Sequence, residues 1–221
     1  MKTYFPIFAF ACVLCWGCSS EVLTSEKILN NSIAYHDPEG KWGALQVQLN
    51  FEESRPDGSI RKSKVWLDQP GRFFKLNRGE DQIHGVAIDS CFIEKGDIDC
   101  DRVVMLKNYY TYLWGLPMKL KDSGTKVSDD FNKVVWEGTE VYILSVDYEK
   151  DDWKFFFDKN NFRLIGYEFV QNNGSSEKII LDGEVNFGKW RIPAGRSWYK
   201  TSENDLFLGK DVLVGVSSYD F

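Results

Sequence analysis

Apolar and polar residues alternate along most of this chain. Between positions 44 and 51, Leu45, Val47, Leu49 and Phe51 interleave with Gln46, Gln48 and Asn50, the period-two pattern of a strand with one buried face. Arg55-Pro56-Asp57-Gly58 reads as a turn, and the chain returns over 60–67. Pro70-Gly71 and the polar stretch 77–81 separate further strands at 73–77 and 82–88. After position 125 the pattern resumes, with strands predicted over 133–136, 140–148, 153–158, 163–170, 177–187, 190–198 and 211–219. Gly138, Lys159-Asn160-Asn161, Asn172-Asn173-Gly174 and Gly188 mark turns between them. Connections this short make the meander antiparallel, because parallel neighbours need a crossover of a dozen residues or more.

Two stretches depart from alternation. Thr24 or Ser25 can cap a helix over 26–35 with Ile28, Ile33 and Leu29 toward its buried side, ended by His36-Asp37-Pro38-Glu39-Gly40. In the second, Val103, Leu106, Tyr109, Tyr110 and Leu113 recur at helical spacing over 101–113, and Gly115 and Pro117 stop the helix. Met118 and Leu120 then alternate with Lys119 and Lys121, which predicts a short extended piece. About ten strands and two helices, with no linker between them, predict a single α+β domain over 25–221. Its expected form is a curved antiparallel sheet, a half-barrel, with the N-terminal and central helices covering the concave face.

The N-terminus adds an address. Lys2 precedes an apolar run over 4–14, too short to span a bilayer and suited to a signal peptide. Small Gly17 allows cleavage before Cys18, so 1–17 reads as a signal, Cys18 as a lipidation site and 18–24 as a tether. This resembles a bacterial lipobox, with Cys15 and bulky Trp16 departing from its usual pattern. The alternative is a plain secretory signal with an incidental cysteine.

Cys91 and Cys100 flank FIEKGDID. A two-residue turn at Lys95-Gly96 would set the two cysteines opposite one another at a closely spaced pair, where a disulfide can form in an exported protein. The alternatives are two free thiols in a mobile loop, or a central helix that already starts at Asp99 to Asp101.

A net charge of −6 argues against nucleic acid, and against adhesion to anionic lipid by charge alone. The only histidines, His36 and His84, lie far apart and lack ligand spacing. Adjacent carboxylates at Glu52-Glu53, Asp129-Asp130 and Asp151-Asp152 diverge on a strand or sit in turns, making poor acid–base dyads. No nucleophile elbow, phosphate-cradling glycine loop or zinc cysteine ladder occurs, so no catalytic residue, metal ligand or cofactor is assigned.

Eight Trp, ten Tyr and sixteen Phe fit either an ordinary β core with exposed aromatic pairs or a sheet with more apolar face than its helices fill. In the second case Tyr109, Tyr110, Leu113, Trp114, Leu116, Met118 and Leu120 would line a ligand cavity and its mouth. Lys119 and Arg196 would then be anchors for an acidic headgroup, or else ordinary surface salt bridges.

The runs GLPMKLKD (115–122) and IPAGRSWY (192–199) resemble a family of uncharacterised Bacteroidota envelope lipoproteins, for which no activity or catalytic residue is assigned. The architecture is similar to the Lol-type carrier and acceptor superfamily, whose half-barrels hold acyl chains beneath a helical lid. That resemblance implies an outer-membrane lipoprotein, on the periplasmic side, with a lipid or lipoprotein ligand. A filled-core interaction scaffold is the alternative. An enzyme acting on glycans or lipids would require carboxylates from separate strands to converge.

Overall fold

The structure, a computed structural model, describes residues 22–219. The expected signal, the lipidation site Cys18 and most of the tether lie outside the described residues. Helix α1 (Ser25–His36) is followed by β1 (Gln46–Ser54), β2 (Ile60–Asp68), β3 (Phe73–Arg78), β4 (Gln82–Ala87), β5 (Ser90–Lys95) and helix α2 (Cys100–Leu113). Then come β6 (Val127–Trp136), β7 (Thr139–Asp147), β8 (Asp151–Asp158), β9 (Leu164–Gln171), β10 (Ser176–Phe187), β11 (Trp190–Lys200) and β12 (Leu206–Ser218). All twelve strands join one sheet in the order β5-β4-β3-β2-β1-β12-β11-β10-β9-β8-β7-β6. The pairings are antiparallel. The α+β class stands, with twelve strands in place of about ten.

The first and last strands pair in the middle of the sheet, and its edges, β5 and β6, are consecutive strands. The segment joining those edges carries α2 and a 3-10 turn at Met118–Lys121, so the chain crosses the open side of the half-barrel once. Concave-facing residues of the strands and both helices form one core cluster, including Val47, Leu49, Phe51, Phe74, Leu213 and Ile28. A smaller cluster of Val141, Phe156 and Ile165 lies on the other face of β7–β9, with Trp136 packed against it.

Thr24 caps α1, its hydroxyl accepting the Lys27 amide proton at 3.2 Å. Ile28 and Leu29 are buried, whereas Ile33 is only half-buried and Ser32 takes the inward position. The Ser25 hydroxyl donates to Asp129 O on β6 at 2.8 Å. At the other end His36 Nδ1 donates to Arg191 O on β11 at 2.8 Å, and His36 Nε2 accepts from the Leu164 amide on β9 at 3.1 Å. With the Tyr35 hydroxyl donating to Glu184 Oε2 on β10 at 2.8 Å, one helix is fastened to four strands.

Three expectations need correction. The Lys95-Gly96 hairpin does not form: β5 pairs with β4, Val86 opposite Cys91, and Asp99 caps α2 by accepting from the Arg102 amide at 2.7 Å. Cys100 is therefore the first residue of the helix, and it is still bonded to Cys91, with the Cα atoms 5.8 Å apart. Strand β6 begins at Val127 rather than 133, because an irregularity between Val127 and Phe131 carries the polar run Ser128-Asp129-Asp130 that hides the alternation. Finally, 118–121 is a 3-10 turn rather than extended, with the Leu120 amide donating to Pro117 O at 3.0 Å.

Candidate functional site

The concave face and the segment laid in it form the candidate site. Trp114 packs on Phe51 with ring centroids 4.6 Å apart, and Tyr110 packs on Phe51 and Phe74 at 5.4 and 6.1 Å. Gly115 is required by crowding, since a Cβ there would come 2.3 Å from Trp42 and 2.6 Å from Thr111 O. Tyr110, Leu113, Trp114, Leu116, Met118 and Leu120 are all buried, and Tyr109 is half-buried. These seven residues do come together. They occupy the trough themselves instead of rimming an empty one.

Arg196 is not a surface group. It is 0% exposed, its guanidinium 3.4 Å from the Trp114 ring centroid, with Nη2 donating to Leu113 O at 2.9 Å and Nη1 to Pro193 O at 3.2 Å. The cation therefore fastens the C-terminal end of α2 to β11 from inside the core. Lys119 forms an ion pair with Asp122. Arg196 is therefore enclosed and not at an open rim, while the partly exposed Lys119 ammonium is already paired with a carboxylate.

The charges that do gather lie elsewhere. Arg61 on β2, Glu53 on β1, Asp211 on β12 and Arg196 on β11 are successive cross-strand neighbours, a row of charge running across the apolar floor. Glu53 Oε1 accepts from the Tyr110 hydroxyl at 2.6 Å, and Oε2 accepts from Arg61 Nε at 2.5 Å and the Ser63 hydroxyl at 3.0 Å. Arg78 Nη2 donates to the Tyr110 hydroxyl at 3.0 Å and stands 3.7 Å from Glu53 Oε1. Asp211 Oδ2 accepts from the Tyr109 hydroxyl at 2.6 Å, and Arg55 Nη2 stands 3.6 Å from Oδ1. Adjacent tyrosines of α2 are thus tied to adjacent carboxylates of the sheet.

The two acids are held differently. Burial raises Glu53, but the Tyr110 hydroxyl, Arg78 and Arg61 outweigh it and bring the carboxyl below its usual range. For Asp211, burial dominates, and the neighbouring Glu53 adds to it against the Tyr109 bond, so this carboxyl is raised. Burial likewise raises the hydroxyls of Tyr109 and Tyr110, which stay protonated donors. Beside this cluster opens a cleft of about 360 Å³, lined by Glu53, Asp211 and four arginines, Arg55, Arg61, Arg78 and Arg102, with Tyr109 and Trp198 as its aromatic wall. A second cleft, about 280 Å³, lies between α1, Leu120 and the start of β6.

The sequence held a sign of this cluster. Glu53 continues the buried phase of Val47, Leu49 and Phe51, and Arg196 is in phase with Trp190 and Ile192. A charge on the apolar phase of a strand is the mark that alternation alone passes over. Among the described residues no group of three or more His, Cys, Asp or Glu is placed to hold a metal ion, and no helix is long and apolar enough to cross a membrane.

Comparison with solved structures supports the fold. A LolA superfamily protein from Nitrosomonas europaea superposes with a TM-score of 0.58 at 10% identity, covering 90% of this chain and 96% of its own. A domain from Vibrio parahaemolyticus described as an outer membrane lipoprotein-sorting protein gives 0.50 at 10% identity, covering 87% and 92%. Comparison with curated proteins returns no match. The sequence matches one family model over residues 4–214, and the chain belongs to that family, DUF6503, a family of unknown function.

Proposed function

We propose that this protein is a membrane-tethered envelope lipoprotein whose curved sheet receives a hydrophobic ligand, an acyl chain, in place of the α2 segment that fills it here. The observation that carries this reading is the origin of the filling. The trough is occupied by one insertion between the two edge strands, so displacing that insertion bares a continuous apolar floor of Val47, Leu49, Phe51, Phe74 and Leu213. Each methylene buried there contributes ~0.8 kcal/mol. The description of the Vibrio protein, outer membrane lipoprotein sorting, supports a lipoprotein as the source of that acyl chain; Cys18 as the anchor and the periplasmic side of the outer membrane belong to the reading of the sequence.

A second reading has its own support. Trp114 and Leu116, each 1% exposed, pack as permanent core residues do, which favours a filled scaffold that binds other envelope proteins. One experiment separates the two. Full-length protein produced in a bacterial envelope and passed over a sizing column is expected to carry acyl lipid detectable by mass spectrometry. It is also expected to change its tryptophan fluorescence when an acyl probe is added. Absence of both, with in-cell crosslinking to a defined protein, overturns the carrier reading.

A further inference from the structure

We propose that the arginine-lined cleft beside Tyr109 is a binding site for a phosphate-bearing molecule with an apolar body. The inference stands apart from the acyl-chain reading, because it concerns the charged end of the half-barrel and not its apolar floor.

The charge does not balance within the cleft. Four guanidinium groups face two carboxylates in its lining, an excess of positive charge in a chain whose net charge is −6. Two of the four are committed: Arg61 donates to Glu53, and Arg78 donates to the Tyr110 hydroxyl. The other two are held more loosely. Arg55 approaches Asp211 and Glu53 only at 3.6 and 3.8 Å, beyond hydrogen-bond reach. The Arg102 side chain donates to Met105 Sδ at 3.2 Å and has no carboxylate partner among the described residues. Planar guanidinium forks match phosphate oxygens two bonds at a time, which a lysine-lined cleft would not do.

The cleft also has a wall that a bare ion would leave unused. Tyr109 stacks on Trp198 with centroids 5.8 Å apart and planes at 23°, and Met105, Leu106 and Leu208 extend the apolar surface. Gly209, at φ +140°, leaves room for the Arg55 guanidinium, since a Cβ there would lie 2.6 Å from Ser54 O and 3.2 Å from Arg55 Nη1. Phosphate beside an acyl or aromatic body is the chemistry such a lining selects. Two sources supply phosphate, a phospholipid headgroup and the free ion, and the test distinguishes them.

Calorimetric titration of the full chain with dihexanoyl phosphatidic acid, dihexanoyl phosphatidylcholine and inorganic phosphate reads the site directly. Binding of phosphatidic acid in preference to the choline lipid is expected. The double variant Arg55→Ala/Arg102→Ala is expected to weaken that binding by roughly tenfold or more, one or two charge-assisted hydrogen bonds' worth, with an unchanged Tm. Arg72→Ala, which removes an exposed pair with Asp89, is expected to leave it intact. Inorganic phosphate bound as tightly as phosphatidic acid, and lost in the same double variant, assigns the site to the free ion. Affinity indifferent to Arg55 and Arg102, or binding of neither lipid nor inorganic phosphate, overturns the proposal. A phosphate response without acyl capture separates this site from the trough.

Discussion

His36 shows how much one side chain can hold. Its two ring nitrogens serve α1, β9 and β11 at once, Nδ1 as donor and Nε2 as acceptor, a pattern only the neutral ring can supply. Burial drives its pKa from 6.5 down to about 4. The folded chain therefore refuses a proton that the unfolded chain accepts. Stability from this group is complete above pH 6.5 and drains away as pH falls toward 4, by up to ~3 kcal/mol. Urea midpoints measured between pH 7 and 4 are expected to fall more steeply for the parent chain than for His36→Asn, which starts lower but carries no imidazole there. Parallel curves would exclude the assignment. Residue identities of this kind were only partly legible. His36 reads from sequence as a polar helix end, and nothing in its neighbourhood announces that Leu164 and Arg191, more than a hundred residues on, complete its bonds. Arg196 is similar: a cation suggests the surface until the core that encloses it is in place.

Among the elements, α2 is the one whose sequence and structure repay comparison. Its apolar spacing fixed the helix to within a residue, because a 3.6-residue period over fourteen positions is a strong signal. How it is attached was not legible, since its fastenings come from distant strands: Tyr109 to Asp211, Tyr110 to Glu53, Arg196 to Leu113 O. The Cys91–Cys100 bond is the local one, joining β5 to the first residue of the helix. The spacing of the two cysteines suggested the pairing through a hairpin that does not exist. Both serve the same closure, one by sheet register and the other by helix docking. Replacing both cysteines by serine removes a loop constraint of about ten residues, worth ~2–3 kcal/mol on the chain-entropy model. Hydrogen exchange is expected to quicken first in the opening turn of α2, ahead of β1 and β12. Uniform quickening across the sheet would show that the bond stabilises the whole domain and does not fasten this helix in particular.

At the scale of the molecule, the sheet consists of two meanders that meet at one seam. Strands β1–β5 and β6–β12 touch as sheet neighbours only where β1 pairs with β12. The turn residues and alternation made the meander legible. The seam was not, since no local pattern says that the first strand of a chain will find the last. Ending the chain after Lys200 removes β12 and leaves Phe51 and Leu49 without their neighbour strand. Such a truncation is expected to lose the single cooperative urea transition of the parent. Retention of one transition with the parental m-value would mean that the halves associate through the helices instead.

The segment running from Lys95 to Val127 joins both lips of the half-barrel, so it works like a drawstring. A residue in a helix advances the chain by about 1.5 Å and an extended one by about 3.3 Å. Unwinding a single turn of α2 therefore lets out about 6 Å of cord. The lips can part by that amount while every rung of the twelve-stranded ladder stays intact.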